Sequence, residues 1–346
     1  NYNFQNIFLD ANAYLFIFYL PIWYQVYQTE SFEYLVDILK AAAIVIAIKT
    51  ILVFNLFVQD YALFDLNNFY KWIRDTRTGE ITPYANNFFR IFFQSHFYLL
   101  IAFFALLMRQ MQDFKNKNNF LFLTFISSAL LISLSRSLWL GGGLAFIFLL
   151  INIIIYSKRM LWTLLIFSFA LLISSVIIIE LAYNLPHYNS FNIFSYRSAD
   201  TSEAAANSRL DLLRPLWQAI QERPVLGWGF GKELTYQSSD PRIKNDLNPE
   251  GWYTSYSFEW GWLDMWLKAG ILMVLAFVSW LALIFRRGYN VFKEDKARVL
   301  FLLCSVLALI IIHIFSPYIN HPLGLGLLML STIIFSLYAK KNQSYN

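Results

Sequence analysis

Three charged side chains have types that suit chemistry on an anionic substrate, and Arg136 among them stands where a charge is unfavourable. Arg136 lies in Ser135-Arg136-Ser137-Leu138-Trp139-Leu140-Gly141, between the apolar runs Phe120 to Leu134 and Leu138 to Tyr156. A guanidinium at membrane depth is destabilising unless paired or wetted, which makes it a functional-site candidate by default. Its small neighbours Ser135, Ser137, Gly141, Gly142 and Gly143 suggest close packing in the tight turn of a helical hairpin. Arg209 stands in Ser208-Arg209-Leu210-Asp211, which resembles a helix-capping box with Asp in place of Glu. An arginine beside exposed helix N–H groups makes an anion site, and its fork matches phosphate oxygens two at a time. Glu259 sits in an aromatic run, Trp252 to Trp266, whose low-dielectric surroundings would raise its pKa and fit it for base work. Together these residues point to a membrane enzyme acting on a phosphate-bearing lipid.

Other residues are candidates for supporting roles. Arg197 and Arg214 share the polar stretch of Arg209, and Arg90 opens an apolar run. Asp264 lies with Glu259 at the mouth of the next apolar span. Gly227-x-Gly229-x-Gly231 gives a tight turn, but no βαβ unit surrounds it, so it does not read as a dinucleotide fingerprint. Simpler readings stand beside these. Arg136 and Arg90 fit as interfacial anchors, Arg209 as a solvated charge, Glu259 as a surface carboxylate and the aromatic run as an interfacial belt. His313, inside an apolar run, reads as a packed, hydrogen-bonded histidine. His96 and His321 keep no ligand spacing with Cys, His, Asp or Glu, so no metal site is expected.

The elements that must carry these residues follow from composition. The chain has 346 residues, 58% hydrophobic and 14% charged, against roughly 25% charged in a soluble globule. It reads as an all-α, polytopic helical membrane protein. Nine spans are expected, near 8–27, 37–58, 91–108, 119–134, 138–156, 160–180, 266–285, 299–316 and 322–339. The net charge of +5 is no nucleic-acid signal, because the basic residues cluster at the ends of apolar runs. Arg109, Lys115 and Lys117, then Lys158 and Arg159, then Arg286, Arg287, Lys293, Lys296 and Arg298, then Lys340 and Lys341 all fall on one side. The positive-inside rule makes that side cytoplasmic. The lone Cys304 forms no internal disulfide.

Segment 181–265 is then external, with seven basic and ten acidic residues. It is too long for a simple connection, and loops of that length are usually functional. Leu210, Leu213, Leu216, Trp217 and Ile220 follow Ser208 at helical spacing, with Pro215 inside and Pro224 as a stop. The division expected is an N-terminal bundle over 1–180, an external catalytic loop with short helices over 181–265, and C-terminal spans over 266–346. Residue 1 also falls outside, so a cytoplasmic native N-terminus would place an odd number of spans upstream.

With these features in place, the chain resembles the O-antigen ligase and polymerase superfamily, the Wzy/WaaL-type membrane glycosyltransferases. The matching features are Ser135-Arg136-x-x-Trp139-Leu140-Gly141, Ser208-Arg209 with Trp217, Pro224-x-x-Gly227-x-Gly229, and Leu263 with Gly270-Ile271-Leu272. They cover about 120 to 340. The resemblance implies about a dozen spans and a large periplasmic loop, which three further upstream spans would complete. It implies transfer of an oligosaccharide from undecaprenyl pyrophosphate, a polyprenyl carrier, to a glycan or glycolipid acceptor. That reaction occurs at the outer face of the bacterial plasma (inner) membrane, without nucleotide sugar, cofactor or metal. Arg136 and Arg209 fall on the positions that hold the pyrophosphate. Where the ligases carry a His-Asn pair, this chain has Glu259-Trp260, which favours a polymerase or another branch over a lipid A-core ligase.

The expected machinery is therefore Arg136 and Arg209 against the pyrophosphate, with Glu259 as general base. Arg90, Arg197, Arg214, Trp217, Gly227, Gly229 and Asp264 would contact substrate. Two rivals stay open. A lipid-linked oligosaccharide flippase would be expected to show an internal repeat of broken helices, and none is visible. A non-catalytic scaffold would tolerate Glu259→Gln.

Overall fold

The computed structural model describes residues 3–27, 31–60, 65–76, 78–84, 87–156, 158–183, 204–241, 243–293 and 295–343. The chain begins with α1 (Phe4–Leu15), a 3-10 turn (Phe16–Tyr19), α2 (Leu20–Val26), α3 (Ser31–Gln59) and α4 (Leu66–Asp75). Two strands follow, β1 (Gly79–Pro83) and β2 (Phe89–Phe93). Then come α5 (His96–Gln112), α6 (Lys117–Ile132), α7 (Arg136–Tyr156), α8 (Lys158–Tyr183) and α9 (Ala204–Glu222). A second pair of strands, β3 (Leu234–Gln237) and β4 (Trp252–Ser255), precedes α10 (Gly261–Asn290), α11 (Lys296–Phe315) and α12 (Pro322–Gln343).

The fold is all-α and polytopic. Helices dominate because a chain this apolar must satisfy its backbone amides internally wherever water is absent. Among the described residues, seven helices are long and apolar enough to cross a membrane: Phe4–Val26, Phe32–Gln59, Arg136–Ile155, Leu161–Tyr183, Gly261–Asn290, Lys296–Phe315 and Pro322–Lys340. Ile147, Ile151, Ile155, Ile166 and Phe169 stand exposed on them, as lipid-facing side chains would. The two other expected spans differ. α6 is apolar but only 16 residues long. The expected span 91–108 begins as a strand, because Phe89-Arg90-Ile91-Phe92-Phe93 is aromatic and β-branched and suits a pleated surface. β2 pairs antiparallel with β1, Arg90 opposite Thr82, and α5 starts only at His96.

The chain divides into two compact units. The first comprises Asn1–Thr29, Asp200–Glu294 and Leu309–Asn346. The second comprises Glu30–Ala199 and Asp295–Ala308.

In the second unit α3 packs against α5, α6 and α8, and α6 also lies against α5 and α8. Phe54, Phe88, Ile91, Leu134 and Tyr183 are buried together. Asn55 and Gln59 near the end of α3 donate to the Ala182 and Tyr183 carbonyls at the end of α8, at 2.6 and 2.8 Å.

In the first unit α10 lies against α9 and α12, and α12 also meets α1, the 3-10 turn and α2. α10 is broken at Gly270, which has φ 75° and ψ 178°. The break orphans backbone groups that a continuous helix would pair. The turn after α9 satisfies them. The amides of Trp228 and Gly229 donate to the carbonyls of Leu267 and Lys268, both at 2.8 Å, and Ile271 N donates to Pro224 O at 2.9 Å. Such close backbone contact leaves no room for a Cβ. One at Gly270 would collide with the Val225 carbonyl, and one at Gly227 would lie 2.7 Å from Gly270 N and Leu267 O. This docking fixes the C-terminal end of α9 against the middle of α10.

Candidate active site

The first unit brings Arg209 and Glu259 together. Arg209 lies on α9, and its Nε donates to the Glu259 carboxylate. Glu259 sits two residues before α10, and the next residue closes the contact, since Trp260 Nε1 donates to the Arg209 carbonyl at 2.9 Å. Leu212, Leu216, Ala219 and Ile220 of α9 pack with Tyr236, Phe258 and Leu267, which sets the helix against the segment bearing Glu259. The side chains of Arg209 and Glu259 are 36% and 52% exposed. Glu259 therefore does not occupy the low-dielectric setting expected from its aromatic neighbours. It stands at a surface, salt-bridged to the guanidinium, where a ligand can reach both groups.

The helix start differs from the expectation. α9 runs from Ala204, so Ser208 is inside the helix and not its cap. The run Ala204-Ala205-Ala206 has the highest helix propensity available and carries the helix past the Ser. The capping-box groups serve other bonds. Ser208 Oγ accepts from Ser238 Oγ at 2.8 Å and lies 3.5 Å from Tyr236 Oη. Asp211 accepts from the amide and hydroxyl of Ser239 at 2.8 and 2.7 Å. Burial pushes the Tyr236 phenol above its ordinary pKa, opposed by the Ser208 hydrogen bond, so it stays a neutral hydroxyl. Arg209 lies inside the helix, so what it can offer an anion is its guanidinium and not the free amides of a helix terminus.

The apolar stripe of α9 also splits. Its buried side is Leu212, Leu216, Ala219 and Ile220, while Leu210 and Trp217 face outward. With Leu213 and Arg214, these outward residues line a shallow hollow of about 430 Å³. Trp217 meets Trp266 edge-on at 5.7 Å. Gly227 and Gly229 have positive φ and belong to the turn docked on the α10 break. Arg197 lies outside the described residues.

Asp264 is buried within the first unit and sits in an ion cluster that sequence reasoning missed. Lys268 Nζ lies 2.7 Å from Asp264 Oδ1 and 2.8 Å from Asp10 Oδ1, and all three side chains are under 10% exposed. Asp264 also accepts from Asn320 Nδ2 at 2.7 Å, and Asp10 from Gly231 N at 2.8 Å. Asp264 and Lys268 stand four apart on an apolar helix, a spacing that signals an ion pair. The cluster ties α1, α10 and the loop before α12 together. His313 is buried as expected, with Ile319 N donating to its Nδ1 at 3.2 Å and Trp262 edge-on to its ring at 4.9 Å.

In the second unit Arg136 is the first residue of α7. The preceding turn is tight, with Leu134 buried at φ 43° and Trp139 Nε1 donating back to the Leu130 carbonyl at 3.0 Å. Arg90 reaches the same turn, its Nε donating to Ser133 O at 3.1 Å, and it salt-bridges Glu80 at 3.1 Å. Arg90 and the Arg136 turn are thus neighbours. Among the described residues no group of three or more His, Cys, Asp and Glu side chains is placed to hold a metal ion.

Residues 120–278 match the family model described as O-Antigen ligase. The segment is a domain of the O-antigen ligase and polymerase superfamily. Neither the curated proteins nor the solved structures contain a match to the chain. The O-antigen ligase segment takes in Arg136, Arg209, Glu259, the glycine turn and the Gly270 break, and leaves Arg90 and Asp10 outside it. The chain thus pairs a multi-pass membrane fold with a domain of ligase and polymerase type.

Proposed function

We propose that this chain moves an oligosaccharide from a polyprenyl pyrophosphate to a glycan or glycolipid acceptor at the external face of the bacterial plasma membrane. The observation that supports this most directly is the Arg209–Glu259 salt bridge at the surface of the superfamily segment. An acceptor hydroxyl attacks the anomeric carbon of the donor sugar while the bond to the pyrophosphate oxygen breaks. The hydroxyl proton passes to Glu259, and the negative charge growing on the leaving pyrophosphate meets Arg209. Arriving pyrophosphate competes for the guanidinium, so donor binding loosens the salt bridge and frees the carboxylate for proton transfer. Arg136, with Arg90 beside its turn, is assigned a separate positive charge in the second unit. Trp217 and Arg214, in the hollow on α9, are assigned to the lipid-proximal part of the donor.

The test is transfer by the full chain in liposomes, given a lipid-linked oligosaccharide from its host. Products resolved by size as a ladder of repeat units support a polymerase. A single product that needs an added acceptor supports a ligase. Translocation of the lipid-linked sugar with no bond transfer defeats the proposal and favours a flippase.

A further inference from the structure

Lys49 stands far inside the apolar helix α3 and is exposed on its surface. It lies ten residues before the C-terminal end at Gln59, roughly 15 Å at 1.5 Å per residue. Helical side chains tilt toward the helix N-terminus, so Lys49 leans away from the nearer end and is badly placed to snorkel out there. Among the described residues it makes no ion pair. Its ammonium sits 3.9 Å from the centre of the Phe93 ring. A cation at such depth is a functional-site candidate by default.

The surroundings are built to hold it there. Phe93 N donates to His96 Nδ1 at 3.5 Å, which leaves the ring proton on Nε2. Nε2 lies 2.9 Å from Thr50 Oγ1, whose own proton goes to the Ile46 carbonyl at 2.8 Å. A neutral histidine therefore pins the end of β2 to α3 at the residue next to Lys49. The same strand carries Arg90, which bonds the turn preceding Arg136. Lys49 and Arg90 both lie within electrostatic reach of His96. His96 thus ties α3, at the residue after Lys49, to the end of β2, all inside the second unit.

We propose that Lys49 binds the pyrophosphate of the lipid donor, with His96 as the positioning residue that holds α3 against β2 there; this rests on the glycosyltransferase reading above. The ligand chemistry is a lipid diphosphate, because an ammonium held at membrane depth suits an anion that a lipid carries there. The ammonium supplies a point charge.

The experiment measures binding of polyprenyl pyrophosphate, and of polyprenol as the uncharged control, to the Glu259→Gln full chain in nanodiscs, where turnover is blocked. Lys49→Met is expected to weaken pyrophosphate-lipid binding about tenfold or more, as loss of one charge-assisted bond implies, and to leave polyprenol binding unchanged. Lys49→Arg should restore most of the affinity. Unchanged pyrophosphate affinity in a folded Lys49→Met protein overturns the inference alone. No pyrophosphate binding with Lys49 intact overturns the glycosyltransferase reading with it. Should Lys49→Met not fold, an amine-reactive reagent on protein with Lys49 intact decides. Protection of Lys49 by polyprenyl pyrophosphate and not by polyprenol supports the site, and equal labelling under both refutes it.

Discussion

At the scale of single residues, the chain is organised by charges that hydrocarbon would otherwise reject. The physical rule that singles out Arg136 from the sequence applies equally to Lys49, Lys268 and Asp10, each set in an apolar run. The Asp264 partner of Lys268 was legible from its spacing, but nothing in a sequence links Lys268 to Asp10, 258 residues away. The Arg209–Glu259 salt bridge was visible only as two separate candidates, and its surface setting not at all. Glu259 looks buried among tryptophans in the sequence, yet in the structure those rings turn elsewhere, Trp260 to the Arg209 carbonyl and Trp266 to the Pro224 carbonyl. Lys268 should behave as a structural charge. Lys268→Met leaves two buried carboxylates without a counter-ion and should destabilise the protein by about 3–5 kcal/mol. Adding Asp10→Asn should return part of that loss. Thermal unfolding in detergent measures both, and an unshifted midpoint in Lys268→Met would remove the cluster from the account.

At the scale of elements, both departures from expectation trace to residue propensities that outweighed a simpler pattern. The run 89–93 is apolar enough to extend a span, but aromatic and β-branched side chains beside a partner strand made a hairpin instead. The Ser208 box looked like a helix start, but three alanines carried α9 past it and freed its hydroxyl for Ser238. The glycine turn was legible as a turn. Its purpose, to cap the broken ends of α10, requires Gly227 and Gly270 to meet, and 43 residues of chain conceal that meeting. Gly270→Ala should therefore be severe. The left-handed backbone alone costs on the order of 1–2 kcal/mol, and the collision with Val225 O adds to it. Gly143→Ala is the matched control, since a Cβ there meets nothing within 4 Å and a helix gains about 0.5–1 kcal/mol from the exchange. Comparison of the two melting temperatures and of folded yield in detergent checks this. Equal behaviour of the two variants would mean that the docked turn contributes little.

At the scale of the whole molecule, the membrane class was fully legible, because 58% hydrophobic residues in long runs admit little else. The span count was less so. Among the described residues seven helices meet the length and apolarity needed, and the short α6 and strand-led α5 account for the difference from nine. The basic residues used to assign sides also do structural work. Arg109 salt-bridges Glu33 and Asp37, and Arg298 salt-bridges Glu33 and Asp295, so the positive excess near the start of α3 is smaller than a count of Lys and Arg suggests. The sidedness proposed for the active segment has a direct check. Cys304 is buried and should stay silent toward an impermeant maleimide. Leu247→Cys, at a residue 97% exposed, should label in intact cells, whereas Lys293→Cys should label only after permeabilisation. The reverse pattern would place the Arg209–Glu259 salt bridge on the cytoplasmic side.

The central claim is that Arg209 and Glu259 act as a catalytic pair with divided labour. The most direct measurement is the single-turnover transfer rate together with donor affinity, in liposomes, for Glu259→Gln and Arg209→Ala at matched expression. The account predicts that Glu259→Gln lowers the transfer rate by about 10²–10⁴-fold with donor affinity nearly unchanged. It predicts that Arg209→Ala lowers the rate by about 10²–10³-fold and weakens the donor as well. Transfer within a few-fold of wild type in Glu259→Gln would contradict the account, because the hydroxyl proton would then leave without the Glu259 carboxylate.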